Sequence, residues 1–446
     1  MEYKIYVESL GCDKNLVDTE VMLGRLSKKG CRIVLSPEEA DIAIINTCSF
    51  IHDAKKESVD SILALAEEKK AGRLPKIIVT GCLSELYREQ IRREIPEVDG
   101  VLGATNTDRI EELVESIMAG QSREIFDSPD YDAAVFLERI SESGKYYGFL
   151  KIAEGCDNHC TYCIIPKLRG KFRSREMDSL VEETKYLAAQ GKRELILVAQ
   201  DVGKYGVDLY GRRALPELLE KLAAVEGIDW IRLLYVYPED VTDELIAAIK
   251  KGYALPYLDM PLQHADDEIL RKMARKSTAA QLRALVAKLR REIPDICLRT
   301  TFITGFPGES EENFANLLAF LQEMKFDRVG VFPYSKEENT PAARMKEQVP
   351  ARLKKKRQKE LMLAQQVITF AKNEELIGRE FRVMIDAYLP QDGVYIGRTY
   401  RDAPEVDGYV FVESRRELLS GDMVRVRITA VNEYDLIGEE IDELSE

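Results

Sequence analysis

Three cysteines, Cys156, Cys160 and Cys163, stand at a Cys-x3-Cys-x2-Cys spacing within Cys156-Asp157-Asn158-His159-Cys160-Thr161-Tyr162-Cys163. A loop this short can bring three thiolates onto three irons of one cubic cluster. A ferredoxin-type run carries a fourth cysteine; here Ile164, Ile165 and Pro166 follow, and the next cysteine is Cys297. The spacing predicts a 4Fe–4S cluster with one iron that has no protein ligand. Such an open position is what a metal centre uses to bind a reactant, as at a catalytic zinc. Residues Tyr147 to Ala153 read as a strand, so the cluster would hang from a strand end. The alternatives are a zinc site or three unrelated thiols. Zinc usually takes four ligands from paired Cys or Cys/His sets, and His159 lies inside the loop beside Cys160, where its ring is poorly placed to reach the same metal.

The chain has 446 residues, room for two to four domains. Its longest apolar runs, such as Leu195 to Ala199, are too short to span a bilayer. Met1-Glu2-Tyr3-Lys4 opens directly into a strand pattern without a signal-peptide layout. A cytoplasmic protein with no membrane partner is expected. In a reducing compartment its eight cysteines are expected to serve as metal ligands more than as disulfides. A net charge of −14 argues against broad affinity for nucleic acid and leaves a basic partner open.

In chain order, strands are expected at Tyr3–Val7, Arg32–Leu35, Asp41–Asn46, Lys76–Thr80 and Val101. Helices alternate with them at Asn15–Lys28, Ala54–Lys69, from Ser84 and from Asp108. This βα alternation predicts a doubly wound parallel sheet. Cys12, Cys48 and Cys82 each fall just past the C-terminal end of a strand, the crevice where open α/β sheets bind ligands. Their convergence predicts a second cluster, again with one open iron. Cys31 and Cys297 sit inside strand-like segments and read as core thiols.

Gln121 to Lys145 is polar, lacks a period and reads as a linker. From Tyr147 the alternation resumes, with strands at Tyr147–Ala153, Glu194–Ala199, Trp230–Tyr235, Tyr257–Met260, Cys297–Ile303 and Arg328–Phe332. Six such units predict an open (β/α) barrel with its chemistry at the C-terminal strand ends. The basic run Arg169-Gly170-Lys171-Phe172-Arg173-Ser174-Arg175 either steadies an anionic group or is a solvated turn. His52 and His264 read as hydrogen-bonded structural histidines; with three histidines in all, histidine acid–base chemistry is not the theme. The helix from Ala351 to Glu375, with its Arg352–Arg357 run, reads as a solvated connector. After it, short β segments at Glu380–Ala387, Val394–Arg398, Gly408–Val412 and Asp422–Asn432 predict a small β-barrel. From Glu375 onward the chain carries 17 acidic and 8 basic residues, a net of −9. A surface that tracks phosphates needs the opposite sign, whereas an acidic one suits a basic protein.

The cysteine loop and the six βα units resemble those of the radical S-adenosylmethionine (SAM) enzymes, in which the amino and carboxylate groups of SAM chelate the open iron. Gly11-Cys12-Asp13-Lys14-Asn15-Leu16-Val17-Asp18-Thr19-Glu20, Asn46-Thr47-Cys48 and Thr80-Gly81-Cys82 resemble the methylthiotransferase family of that superfamily. So do Gln200-Asp201, Pro261-Leu262-Gln263-His264-Ala265, Arg275 and Thr304-Gly305-Phe306-Pro307-Gly308-Glu309. The terminal barrel resembles a TRAM domain. The resemblance implies residues 1–120 as the N-terminal domain with the auxiliary cluster, 121–145 as linker, 146–374 as radical SAM core and 375–442 as TRAM domain. It implies two 4Fe–4S clusters, on Cys156, Cys160 and Cys163 and on Cys12, Cys48 and Cys82. Gln200 and Gln263 would hydrogen-bond SAM and Arg275 would pair with its carboxylate, although structural roles at a barrel rim suit all three equally well. Lys14-Asn15-Leu16-Val17-Asp18 and Arg398 to Gly408 match the branch that places a methylthio group on the β-carbon of an aspartate in protein twelve of the small ribosomal subunit. Such chemistry needs a low-potential electron donor and a sulfur donor. Two other readings stay open: a tRNA adenosine methylthiotransferase, and a non-catalytic iron–sulfur protein for electron transfer or RNA binding.

Overall fold

The computed structural model describes residues 3–132 and 138–441. Its first sheet is fully parallel, in the spatial order Arg32–Val34, Lys4–Ser9, Ile42–Thr47, Lys76–Gly81, Gly100–Leu102, Arg123–Ile125. Every residue of Ile42–Thr47 is buried, as expected of a strand covered on both faces by helices. Helices Asp13–Lys28, His52–Lys70, Cys82–Glu94 and Ile110–Met118 do the covering.

The expectation of a plain linker at Gln121–Lys145 is corrected. Arg123–Ile125 is the sixth strand of the first sheet, paired with Gly100–Leu102. Three residues are too few to show a period. Arg139 is fully buried, ion-pairs with Glu20 and, at 2.9 Å, with Glu183, and donates to the Phe149 carbonyl. Glu20 also accepts from the backbone N–H groups of Glu142 and Ser143 at 2.8 Å each. The segment's described residues tie to the first sheet through Arg123–Ile125 and to the second through Arg139 and Phe149. Residues 133–137 of it lie outside the described residues.

The second sheet runs Tyr147–Lys151, Glu194–Val198, Trp230–Leu233, Tyr257–Gln263, Cys297–Thr304, Arg328–Pro333 in chain order, all parallel, and is open between its first and last strands. Its outer face packs on the helices in the largest apolar core of the molecule. Its inner face carries Phe149, Ile196, Val198, Leu234, Tyr257 and Cys297. These pack against Leu16 and Val17 of helix Asp13–Lys28 and against Tyr400 and Ala403 from the C-terminal barrel. The half-barrel is therefore lined by its own strands and plugged by residues from both ends of the chain.

The C-terminal strands Glu380–Leu389, Val394–Arg398, Val410–Glu413, Asp435–Glu440 and Met423–Asn432 close into a barrel. Asp435–Glu440 was not expected: it follows a two-residue turn after Asn432, and its acidic Glu439 and Glu440 weaken the strand pattern. The barrel docks through buried charges. Arg398 reaches Glu194 at 2.6 Å and Asp386 at 2.8 Å, Arg232 reaches Glu194 at 2.7 Å and the Tyr400 carbonyl at 2.7 Å, and Arg328 reaches Asp402 at 2.8 Å. Among the described residues, no helix is long and apolar enough to cross a membrane.

Candidate active site

The cysteine loop follows the first half-barrel strand and is pinned at several points. Ala153–Glu154 pairs with Arg173–Ser174. Gly155 has φ +75, and a Cβ there would lie 2.0 Å from the Lys171 carbonyl, so only glycine lets the loop leave the strand this closely. The Cys156 N–H donates to the Gly170 carbonyl at 3.1 Å, the Thr161 N–H to the Met273 carbonyl at 3.1 Å and the Thr161 hydroxyl to the Lys272 carbonyl at 2.8 Å. Cys156 and Cys160 are buried and Cys163 is half-buried. Burial pushes the Cys156 thiol up to about 11 and the Cys163 thiol up to about 12. Without a bound cation these groups keep their protons; ligation is what drives the protons off. Among the described residues, no three His, Cys, Asp or Glu side chains gather around one metal ion. Thiolates that each take a different iron of a cube have no need to.

Polar groups ring the loop. Arg275 lies with Nη1 3.9 Å from Cys160 Sγ, donates through Nη2 to the Pro261 carbonyl at 2.9 Å and stacks 4.2 Å from the Tyr237 ring centroid. The Tyr237 hydroxyl is 3.8 Å from Cys160 Sγ. Gln200 donates through Nε2 to Glu154 at 2.9 Å, and its Oε1 is buried without a partner. Asp201 is fully buried; one carboxylate oxygen accepts from Asn158 Nδ2 at 2.8 Å and the other has no partner. Gln263 ends its strand at φ +73, a left-handed conformation rare outside glycine. The orphaned oxygens of Gln200 and Asp201 beside the loop suit a ligand rich in N–H and O–H donors, as SAM is. Asp201 appeared in the sequence only as the neighbour of Gln200; Glu154, Asn158 and Tyr237 carried no local signal.

Burial, and next to it the Asp240 carboxylate, push Asp201 up to about 7. A carboxyl whose folded value is raised costs the fold stability as pH rises from its ordinary value near 4 to about 7, and the cost is constant above that. Asp201→Asn in protein prepared without iron is therefore expected to be stabilising, with a gain on the order of a few kcal/mol at pH 8 that shrinks towards pH 4. Urea denaturation across that range checks it; a gain that does not vary with pH would contradict the assignment.

The other three cysteines converge. Cys12 is exposed and precedes helix Asp13–Lys28; Cys48 and Cys82 are buried. A Cβ at Gly11, which has φ +95, would lie 2.7 Å from Cys48 Sγ, so the chain passes against that thiol. Asn15 ties the strand ends together by donating to the carbonyls of Leu10 at 3.0 Å and Thr47 at 2.9 Å. Burial pushes Cys82 up to about 12; Arg169 opposes this, and the nearby Cys12 and Cys48 add to it. Cys82 packs with Ile164 and Leu168, which directly follow the Cys156–Cys163 loop, so the two cysteine sets share one seam.

Arg169 crosses that seam. It is buried, with Nη2 2.6 Å from Asn15 Oδ1 and 3.7 Å from Cys82 Sγ, and Nη1 2.6 Å from Asp18 and 3.1 Å from Glu154. Despite burial, Lys151 and Arg169 hold the Glu154 carboxyl well below the usual carboxylate range. On the Cys12 side, a cavity of about 280 Å³ is bounded by Gly11, Cys12 and Asp13, by the inner wall at Phe149, Tyr235 and Arg299, and by Ala403 to Val406.

The remaining expectations divide. Cys31 and Cys297 are core residues, as read. His264 is buried, with Nδ1 accepting from the Asp266 N–H at 3.0 Å. His52 is corrected: its side chain is 82% exposed at a helix start, with Nδ1 3.5 Å from the still more exposed Asp53, and is not part of the packed structure.

A six-stranded parallel half-barrel with this cysteine loop at the end of its first strand defines a radical SAM enzyme. Residues 150–321 match the radical SAM superfamily, residues 4–103 match Uncharacterized protein family UPF0004, and residues 377–441 match the TRAM domain. In fold the chain is similar to the radical SAM methyltransferase TsrM from Kitasatospora setae, at a TM-score of 0.56 and 14% identity over 77% of each chain. Proteins named ribosomal protein uS12 methylthiotransferase RimO are similar over nearly the whole length. The one from Lachnoclostridium phytofermentans is 54% identical over 98% of this chain and 99% of its own, and the one from Geobacter sulfurreducens 50% identical over 98% of each. The chain belongs to this RimO family of radical SAM methylthiotransferases.

Proposed function

We propose that the enzyme adds a methylthio group to the β-carbon of an aspartate in ribosomal protein uS12. One 4Fe–4S cluster would be held by Cys156, Cys160 and Cys163 and a second by Cys12, Cys48 and Cys82. The observation that carries this reading is the shared seam: two separate sets of three cysteines meet where Cys82 packs on Ile164 and Arg169 reaches Cys82, and Cys12 of the first set borders a cavity. When bound, the clusters and SAM supply a radical able to take hydrogen from an unactivated carbon, together with the sulfur and the methyl group.

The chain's own residues do the positioning. Gln200, Asp201 and Gln263 at the strand ends line the SAM side. Arg275 lies against Cys160, with Nη1 3.9 Å from its Sγ. Tyr162 packs edge-on with Phe306 beneath the loop, and Phe306 with Tyr334. These rings and the two plugs of the half-barrel keep water from the reacting carbon. We assign residues 1–120 with the strand Arg123–Ile125 to the sulfur-inserting half, 146–374 to the radical half and 375–442 to substrate docking, in the cytoplasm. An external low-potential reductant and a sulfur donor complete the reaction.

The C-terminal barrel supports a protein substrate over RNA. Arg425 and Arg427, which face outward from strand Met423–Asn432, both pair with Glu380, at 2.9 and 2.8 Å. They are not a free row of cations for phosphates. The test is to load both clusters anaerobically, supply reductant, sulfide and SAM, and offer uS12 or tRNA. Mass spectrometry is expected to find uS12 heavier by about 46 Da at an aspartate, the mass of SCH3 replacing H in this radical scheme. The same shift on tRNA adenosine alone would overturn the substrate assignment and keep the chemistry.

A further inference from the structure

We propose that Lys14 binds the carboxylate of the acceptor side chain and so selects an acidic residue; this rests on the aspartate reading above. Lys14 lies two residues after Cys12, in the first turn of helix Asp13–Lys28. Its ammonium sits 3.6 Å from the centroid of the Tyr235 ring, and Tyr235 lines the cavity that Cys12 borders. The Tyr235 hydroxyl donates to Asp13 at 3.0 Å, which fixes the ring and engages the carboxylate next to Lys14 in sequence. Tyr235 and Glu405, both on the cavity wall, hold left-handed backbones at φ 60 and 61, strain of the kind that gathers at ligand sites.

The charges of the cavity wall and of the neighbouring seam make Lys14 distinctive. Arg299 is spent on Asp259 at 3.0 Å and lies 3.7 Å from Asp407. Lys151 and Arg169 are spent on Asp18 and Glu154. Among the described residues, no carboxylate lies within ion-pair distance of Lys14, in a chain whose net charge is −14. A carboxylate entering a space walled by Phe149, Ile196 and Leu234 loses water and needs a countercharge. The cation we assign to it is Lys14, whose ammonium rests on the ring of the wall residue Tyr235. Because the β-carbon of aspartate is bonded directly to its carboxylate, one ionic contact also holds the reacting carbon at the Cys12 end of the cavity.

The experiment compares wild-type, Lys14→Met and Lys14→Arg enzymes against uS12 and against uS12 with asparagine at the acceptor position. Binding is measured by fluorescence anisotropy with both clusters loaded but no reductant or SAM. KM, kcat and the midpoint potential of the N-terminal cluster are measured separately. Wild type is expected to prefer the aspartate protein by about tenfold or more, and Lys14→Met to lose that preference through KM while its cluster potential stays put. Lys14→Arg is expected to restore most of it. Retained preference in an active Lys14→Met enzyme overturns the role of Lys14 alone. So does a shifted potential with preference intact, which would make Lys14 the counterion of the cluster. If wild type neither binds nor modifies uS12, the aspartate reading falls and this inference falls with it.

Discussion

Cys12→Ala is expected to abolish methylthio insertion while SAM cleavage remains detectable. The two activities lean on different residues. In the proposed scheme cleavage rests on the Cys156–Cys163 loop, which is pinned by the Gly170, Met273 and Lys272 backbones and makes none of those contacts through Cys12. Insertion, on the same proposal, rests on Cys12, Cys48 and Cys82 together, and Cys12 is the exposed member that borders the cavity. Because Cys12 is exposed, the alanine leaves little void, and the fold should lose less than about 1 kcal/mol. Iron per chain should fall by up to about half as one of the two proposed cubes loses a ligand. Chromatography of 5′-deoxyadenosine against mass spectrometry of uS12 reads both activities in one tube. Equal loss of both would show that the two cysteine sets do not divide the work.

Arg169→Met should produce the largest stability loss of any single change near the site, and should also uncouple cleavage from insertion. The guanidinium serves Asp18, Asn15 and Cys82 on one side of the seam and Glu154 on the other. Methionine fills much of the volume and removes every donor. Lys151 still pairs with Asp18 and Glu154, but Asn15 Oδ1 loses its charged partner. Breaking a buried pair on one side costs about 3–5 kcal/mol, and Lys151 places the expected loss at the low end. Arg169→Lys should recover little, because an ammonium lacks the planar fork that reaches Asn15 and Cys82 through one nitrogen and Asp18 and Glu154 through the other. In turnover, 5′-deoxyadenosine released per methylthio group formed should rise several-fold, since the seam no longer fixes one cysteine set against the other. Denaturant unfolding and that ratio are the two measurements. Unchanged stability with an unchanged ratio would leave Arg169 as an ordinary interface residue.

What could be read without coordinates follows from how far each signal travels along the chain. The Cys156–Cys163 spacing is local, and its loop stands where the strand pattern put it. Cys12, Cys48 and Cys82 were legible because each repeats one relation, a cysteine just past a parallel strand, and parallel topology turns that repetition into proximity. Arg169 was not separable from its basic run: its partners Asp18 and Asn15 lie 151 and 154 residues away, whereas Lys171 in the same run is exposed. Strands Arg123–Ile125 and Asp435–Glu440 were missed for brevity and for charge. The acidic count of the C-terminal barrel also overstates its surface, since Asp386 and Asp402 are spent on Arg398 and Arg328.

The plugging of the half-barrel bears on how the chain is made and how it can be cut. Leu16 and Val17 are synthesised before the strands they cover, and Tyr400 and Ala403 after all of them. While the polypeptide emerges, the inner wall at Phe149, Ile196 and Tyr257 stays wet until the last barrel arrives, and exposed apolar walls of this kind are where nascent chains aggregate. The catalytic unit therefore has no contiguous gene segment of its own. A chimera that swaps the terminal barrel between relatives has to carry residues 398–408 together with Glu194, Arg232 and Arg328, or inherit a half-barrel that cannot close.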